Sequence, residues 1–207
     1  MVTLSFIKAR LILGDKNTKI AILISGRGSN MIALAKAIAA PDFPAEVVGV
    51  LADKKDAAGL AIASDMNIAT TSFERSDFTS KAEHEAAIHD QLVQWNADII
   101  CLAGFMRLLS ANFIDKWTNK IINIHPSLLP KYKGLNTHQR AIEAGDSEHG
   151  CTVHYVTAGM DEGPVIAQAK VPVLSDDTEA SLTARVLEQE HQLYAKALRD
   201  VLERQKP

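Results

Sequence analysis

The chain has 207 residues, of which 47% are hydrophobic and 23% charged, and a formal charge of −3. That length and balance fit one globular domain with a large core, and the charge gives no support for bulk binding to nucleic acid or to an anionic membrane surface. The two cysteines, Cys101 and Cys151, lie in apolar runs without a CxxC, which fits a reducing cytoplasm, and no apolar run approaches the ~18–20 residues of a membrane span.

Residues 1–18 are apolar and basic before Asp15, but Lys8 and Arg10 interrupt the stretch and no small-residue cleavage pattern follows. We expect an N-terminal extension over 1–18 and the folded domain over 19–207. From there apolar runs alternate with helix-period segments. Ile20–Ser25 reads as a buried strand, Asn30–Ala40 as a helix, Val47–Leu51 as a strand and Asp56–Met66 as a helix. Ile68–Thr71 reads as a short strand and Phe78–Trp95 as a longer helix. Strands at Ile99–Leu102 and Ile121–Ile124 flank a short helix at Ala111–Trp117. This alternation predicts an α/β fold, a mostly parallel sheet with helices on both faces. After His125 the rhythm changes. A helix over Thr137–Gly145 precedes two alternating runs, Cys151–Val156 and Val165–Val173. They predict an antiparallel edge excursion near 151–173. A long helix over Thr178–Glu203 closes the fold, with Ser175, Asp176 and Asp177 as cap candidates.

Two segments carry chemistry. Asn123 and His125 stand two apart at a strand end, hence on one face, and Pro126 and Pro130 hold the following path. A neutral donor beside a titratable ring is the pairing that stabilises an oxyanion and moves a proton. Ser25-Gly26-Arg27-Gly28-Ser29-Asn30 links a strand to a helix. Position 31 is Met, which breaks the dinucleotide fingerprint, and no Gly-Lys-Ser/Thr follows. One phosphate monoester on Gly28, Ser29 and Asn30 is the better fit. Asp161 lies in the glycine-rich turn Ala158-Gly159-Met160-Asp161-Glu162-Gly163. His84 and His89 are five apart, roughly 140° around a helix, so we read them as solvated residues and expect no metal site. His154 alternates with apolar positions and reads as an inward, hydrogen-bonded residue near the site.

The runs Asn-Ile-His-Pro-Ser-Leu-Leu-Pro-Lys-Tyr-Lys-Gly (123–134) and Met-Asp-Glu-Gly-Pro-Val-Ile-Ala-Gln-Ala-Lys-Val-Pro-Val (160–173), with the 25–30 loop and Gly-Phe-Met-Arg (104–107), resemble the folate-dependent phosphoribosylglycinamide formyltransferase family. The resemblance extends from about Lys19 to about Arg199. It implies a single-domain Rossmann-like formyltransferase fold that passes the formyl group of 10-formyltetrahydrofolate to the amine of glycinamide ribonucleotide. Asn123 and His125 would stabilise the oxyanion, with Asp161 beside His125 favouring the imidazolium. The ribose phosphate would rest on Gly28, Ser29 and Asn30, with Leu187, Glu188, Gln189 and Glu190 on the ribonucleotide side. Met106, Arg107, Leu108, Leu109 and Asn123 would line the folate pocket, and Thr157, Ala158, Gly159, Met160 and Asp161 would close its pterin end. Lys81, arginine in some relatives, would meet the glutamate tail. The resemblance also implies a cis Leu129–Pro130 bond. No Ser or Cys is placed as a nucleophile beside a base, so direct attack by the amine is expected. Partners are then small molecules, in the cytoplasm, with monomer and homodimer both open.

Rivals remain at this stage. Methionyl-tRNA formyltransferase shares the Asn-x-His and Asp pattern but usually carries a further RNA domain. Formyltetrahydrofolate deformylase adds a regulatory domain ahead of the catalytic one. A non-catalytic folate- or nucleotide-binding module on the same fold would bind without turnover.

Overall fold

The computed structural model describes residues 17–204. Of the expected extension, residues 1–16 lie outside the described residues, while Thr18 already opens the first strand. Seven strands form one sheet: β1 (Thr18–Ile24), β2 (Ala45–Ala52), β3 (Thr70–Ser72), β4 (Ile99–Leu102), β5 (Ile121–His125), β6 (Glu148–Tyr155) and β7 (Val165–Pro172). Their order is β3-β2-β1-β4-β5-β6-β7. The pairs from β3 to β5 are parallel, and β5–β6 and β6–β7 are antiparallel. The predicted excursion is thus a continuation of the sheet at one edge.

Parallel strands covered on both faces read as continuous apolar runs, and β1 shows why. Ile20, Ile22 and Ile24 enter one core while Ala21 and Leu23 enter the other. The first core is closed by α1 (Ser29–Ile38) and by α6 (Glu179–Arg204), through Met31, Leu34, Leu182, Val186 and Leu198. The second is closed by α3 (Lys81–Gln94) and α4 (Ala111–Lys116), through Ile88, Leu92 and Phe113. Helices α2 (Ala58–Asp65) and α5 (Thr137–Glu143) complete the described set, with a 3₁₀ turn at Arg75–Asp77.

Several boundaries shift by two or three residues from the sequence reading, among them the helix start expected at Phe78, which lies at Lys81; two are instructive. β6 begins at Glu148, three residues before the predicted Cys151. The Glu-His-Gly start lacks the apolar alternation of a strand, but Gly150 sits where any side chain would collide with the Ala169 carbonyl of β7, so glycine there marks a close strand approach. The cap of α6 is Thr178 rather than residues 175–177. Its Oγ1 accepts from Ser181 N at 3.2 Å, while Ser181 Oγ accepts from Thr178 N at 3.0 Å, a reciprocal capping arrangement. Asp177 instead holds Arg185 through both carboxylate oxygens, at 2.6 and 2.8 Å.

The strand order reverses beside β1, between it and β4, and ligands of open α/β sheets bind outside the carboxyl ends of strands at such a point. Ser25 N donates to the Gly104 carbonyl (3.1 Å) and Met106 N donates to Ser25 Oγ (2.8 Å), so the loops after β1 and β4 are tied together there.

Candidate active site

β5 ends in Asn123-Ile124-His125, with Asn123 opposite His154 on β6. The Leu129–Pro130 bond that follows is cis, as the resemblance implies. His125 is 6% exposed. Its Nε2 donates to the Tyr132 carbonyl at 3.0 Å, and its Nδ1 lies 3.4 Å from Asp161 Oδ2. Both ring nitrogens therefore face oxygen acceptors. Asp161 adopts a left-handed φ of 53° in its turn, and its Oδ2 also accepts from Gly134 N at 2.9 Å. The loop after β5 and the turn after β6 thus close on each other over the histidine, with Lys133 and Glu162 paired at 2.8 Å on the outside.

His154 contributes a role that the sequence reading left unspecified. Its Nδ1 stands 2.9 Å from the Tyr155 carbonyl and so carries the proton there. Nε2 is then an acceptor and receives a hydrogen from Asn123 Nδ2 at 3.2 Å. Burial lowers the His154 pKa, opposed by the Tyr155 carbonyl and Asp161, which keeps the ring neutral for this purpose. The Asn123 amide is fixed by one hydrogen and has the other to offer. The spacing of Asn123 and His125 was readable in the chain; the antiparallel register that sets His154 behind Asn123 was not.

The loop 125–134 rests on Thr152, which is fully buried. Its hydroxyl donates to the Ser127 carbonyl (2.6 Å) and accepts from Leu129 N (3.0 Å) and Gln168 Nε2 (2.9 Å).

Gly28 caps α1 with φ 73°, a left-handed conformation, and no side chain caps the helix start. Backbone N–H groups of the first turn are left free, as an anion site requires. Asn30 is buried and donates from Nδ2 to Glu190 Oε2 at 2.6 Å, while Asn30 Oδ1 is buried without a partner. Burial raises the Glu190 pKa, opposed by Asn30. Of the expected ribonucleotide residues, Glu190 joins this corner. Leu187 and Gln189 are half-buried and Glu188 is exposed, roughly 200° around the helix from Glu190.

An open cleft of about 170 Å³ is lined by Arg75, Lys81, Glu85, Arg107, Leu108 and Leu109, among others. It gathers four expected folate residues: Lys81, Arg107, Leu108 and Leu109. Met106, Asn123 and the segment 157–161 lie outside its lining, but Leu102, at the end of β4, pairs with Asn123. Met106, Leu108, Leu135 and Met160 are large apolar side chains left at least half exposed. Glu85, buried in the cleft wall, accepts from Ser110 N at 2.8 Å and from the Ser110 hydroxyl. The reading of His84 and His89 as solvated is corrected. His84 is buried with Nε2 donating to the Phe73 carbonyl at 2.8 Å, and His89 Nδ1 accepts from Trp117 Nε1 at 3.1 Å. Their angular separation sends them to two different neighbours. Among the described residues, no group of three or more His, Cys, Asp or Glu is arranged to hold a metal ion. None of the described helices is long and apolar enough to cross a membrane.

Residues 18–198 match the model of the formyl transferase family. The chain is 47% identical over 176 residues to the phosphoribosylglycinamide formyltransferase of Haemophilus influenzae, covering 85% of this chain and 83% of that protein. It is 43% identical over 183 residues to the human trifunctional purine biosynthetic protein adenosine-3, covering 88% of this chain but 18% of that protein. A crystal structure of phosphoribosylglycinamide formyltransferase from Brucella melitensis matches with a TM-score of 0.87 at 56% identity, over 89% of this chain and 95% of that one.

Proposed function

The chain belongs to the formyl transferase family, and from that premise we propose that it passes the formyl group of 10-formyltetrahydrofolate to the primary amine of glycinamide ribonucleotide. It is a formyltransferase enzyme, and its relatives place the reaction in purine biosynthesis. The observation that carries the finer reading is the convergence of Asn123, His125, His154 and Asp161 at one strand end. The segment after β4 that lines the cleft follows Leu102, which pairs with Asn123 on the next strand.

In this reading the amine attacks the formyl carbon, a C–N bond forms, and the bond from that carbon to N10 breaks. Negative charge grows on the formyl oxygen, where fixed donors contribute most. The free hydrogen of Asn123 Nδ2 donates to it. His125 also donates to it, supported by Asp161 beside its Nδ1 at 3.4 Å. The amine loses a proton and N10 gains one, through His125 or an ordered water. Gly28, Ser29 and Asn30 hold the phosphate, Glu190 accepts from the ribose or amine end, and Lys81 and residues 106–109 hold the folate. The protein works on these small molecules in the cytoplasm, with 19–207 as its catalytic domain.

The test is an absorbance assay for deformylated folate, with and without glycinamide ribonucleotide. Release only with the amine supports transfer. Release without it points to a hydrolase, and ligand binding without release to a binding module.

A further inference from the structure

Arg107, at the mouth of the cleft, is tethered from behind. Its Nε donates to Asp53 Oδ2 at 2.5 Å. Asp53 directly follows β2, 54 positions earlier in the chain. The carboxylate is 1% exposed and the arginine side chain 42%, so the pair runs from the interior to the cleft. Asp53 Oδ1 is buried without a partner, and no other side-chain hydrogen bond of Asp53 is present among the described residues.

A carboxylate removed from water is costly unless paired, and a half-paired one has little value as a stabilising device. Its position suggests another use. The cleft also holds the cations Arg75 and Lys81, and its one buried carboxylate, Glu85, is already engaged by Ser110 and Lys81. Without Asp53, nothing among the described residues would hold the guanidinium in place. Engagement through Nε alone leaves Nη1 and Nη2, the planar end of the fork, without a protein partner among the described residues.

We propose that Asp53 is a positioning residue for the formyl donor. It fixes Arg107 from behind, so that the terminal amino groups and the adjoining wall at 106–109 are set for the donor's acceptor atoms before it arrives. This rests on the reading that Arg107 lines the donor site. Preorganisation of this kind acts on donor affinity and leaves the phosphate corner untouched.

The experiment compares Asp53→Ala, Asp53→Asn, Arg107→Ala and the double alanine variant, with KM for each substrate, kcat and Tm. Asp53→Ala should raise the donor KM about tenfold, the weight of one charge-assisted hydrogen bond, with the acceptor KM and kcat near wild type. Asp53→Asn keeps an acceptor oxygen and should fall between, and it carries the test where the alanine variant fails to fold. The double variant should be no worse than Arg107→Ala. An unchanged donor KM, an equal rise in both KM values, or multiplicative losses in the double variant would overturn the proposal. If wild-type protein releases no folate with the amine, the functional reading has failed instead. Calorimetric titration with tetrahydrofolate then decides: weaker binding in Asp53→Asn upholds the tether and equal binding overturns it.

Discussion

Asp161→Asn changes one atom and should nearly stop the reaction. The Asp161 carboxylate lies 3.4 Å from His125 Nδ1 and 3.7 Å from His154 Nε2, and it accepts from Gly134 N. At 3.4 Å, two unit charges attract by about 5 kcal/mol gross at an effective dielectric of about 20, and desolvation removes part of that. The amide also introduces a second fault. If its oxygen keeps the Gly134 contact, its NH₂ group turns to His154 Nε2, whose single lone pair already receives Asn123. On the proposed mechanism the substitution therefore removes the charge beside His125 and competes for the ring that orients Asn123, the other proposed oxyanion donor. Loss of one such donor costs about 10²–10³ in turnover, and we expect at least that from Asp161→Asn and from His125→Ala. Because the groups act as a unit, the double variant should be little slower than the slower single. The assay is kcat at saturating folate and ribonucleotide, with binding of each followed separately. Near-normal turnover in Asp161→Asn, or fully multiplicative losses, would refute the reasoning while leaving the family assignment in place.

Gly28→Ala should raise the KM for the ribonucleotide and leave that for folate near normal; at φ 73°, with Met31 Cε only 3.0 Å from the new Cβ, it should also lower Tm. An equal rise in both KM values would make the loop structural. Thr152→Val removes the bridge among Ser127, Leu129 and Gln168, and calorimetry should show a loss of roughly 2 kcal/mol or more, with slower turnover; unchanged kcat would separate the loop's support from catalysis. Burial holds the His149 pKa down to about 4 from 6.5 and also lowers that of His138, 3.2 Å away. The unfolded chain then binds protons first, so stability falls as pH drops from about 6.5 towards 4, by up to about 1.4 kcal/mol per unit for His149. Replacing His149 with Gln should flatten the plot of Tm against pH in that window, and an unaltered slope would dissociate the ring from acid sensitivity.

The parallel heart of the sheet was legible because its central strands are apolar on both faces. Ile20–Ile24 and Ile99–Leu102 cannot be anything but buried, and their alternation with helix-period segments fixes the parallel arrangement. Asn123, His125 and the 25–30 loop were legible too, since spacing along a strand and glycines at a strand–helix junction are local signals. What remained hidden is pairing across the chain. Nothing near Asp53 announces Arg107, nothing near Asn123 announces His154, and the dry environment of His84 depends on the Phe73 carbonyl and the Phe78 ring that meet it. Helical period says which side of α3 a residue occupies, but not whether another segment covers that side. The three-residue error at β6 is of the same kind, because Gly150 has strand geometry only by virtue of β7.

The contact between Asn30 and Glu190 spans 160 positions, and it bears on how the protein comes into being. During synthesis the loop after β1 emerges early, yet one wall of that corner is made by α6, the last of the described helices in chain order. A nascent chain can build the sheet and still lack the corner; on the proposed reading, in which the corner seats the phosphate, a partly made copy has no complete seat with which to withdraw ribonucleotide. On that reading catalytic competence awaits the docking of α6, and an activity measurement on refolding protein would time that docking.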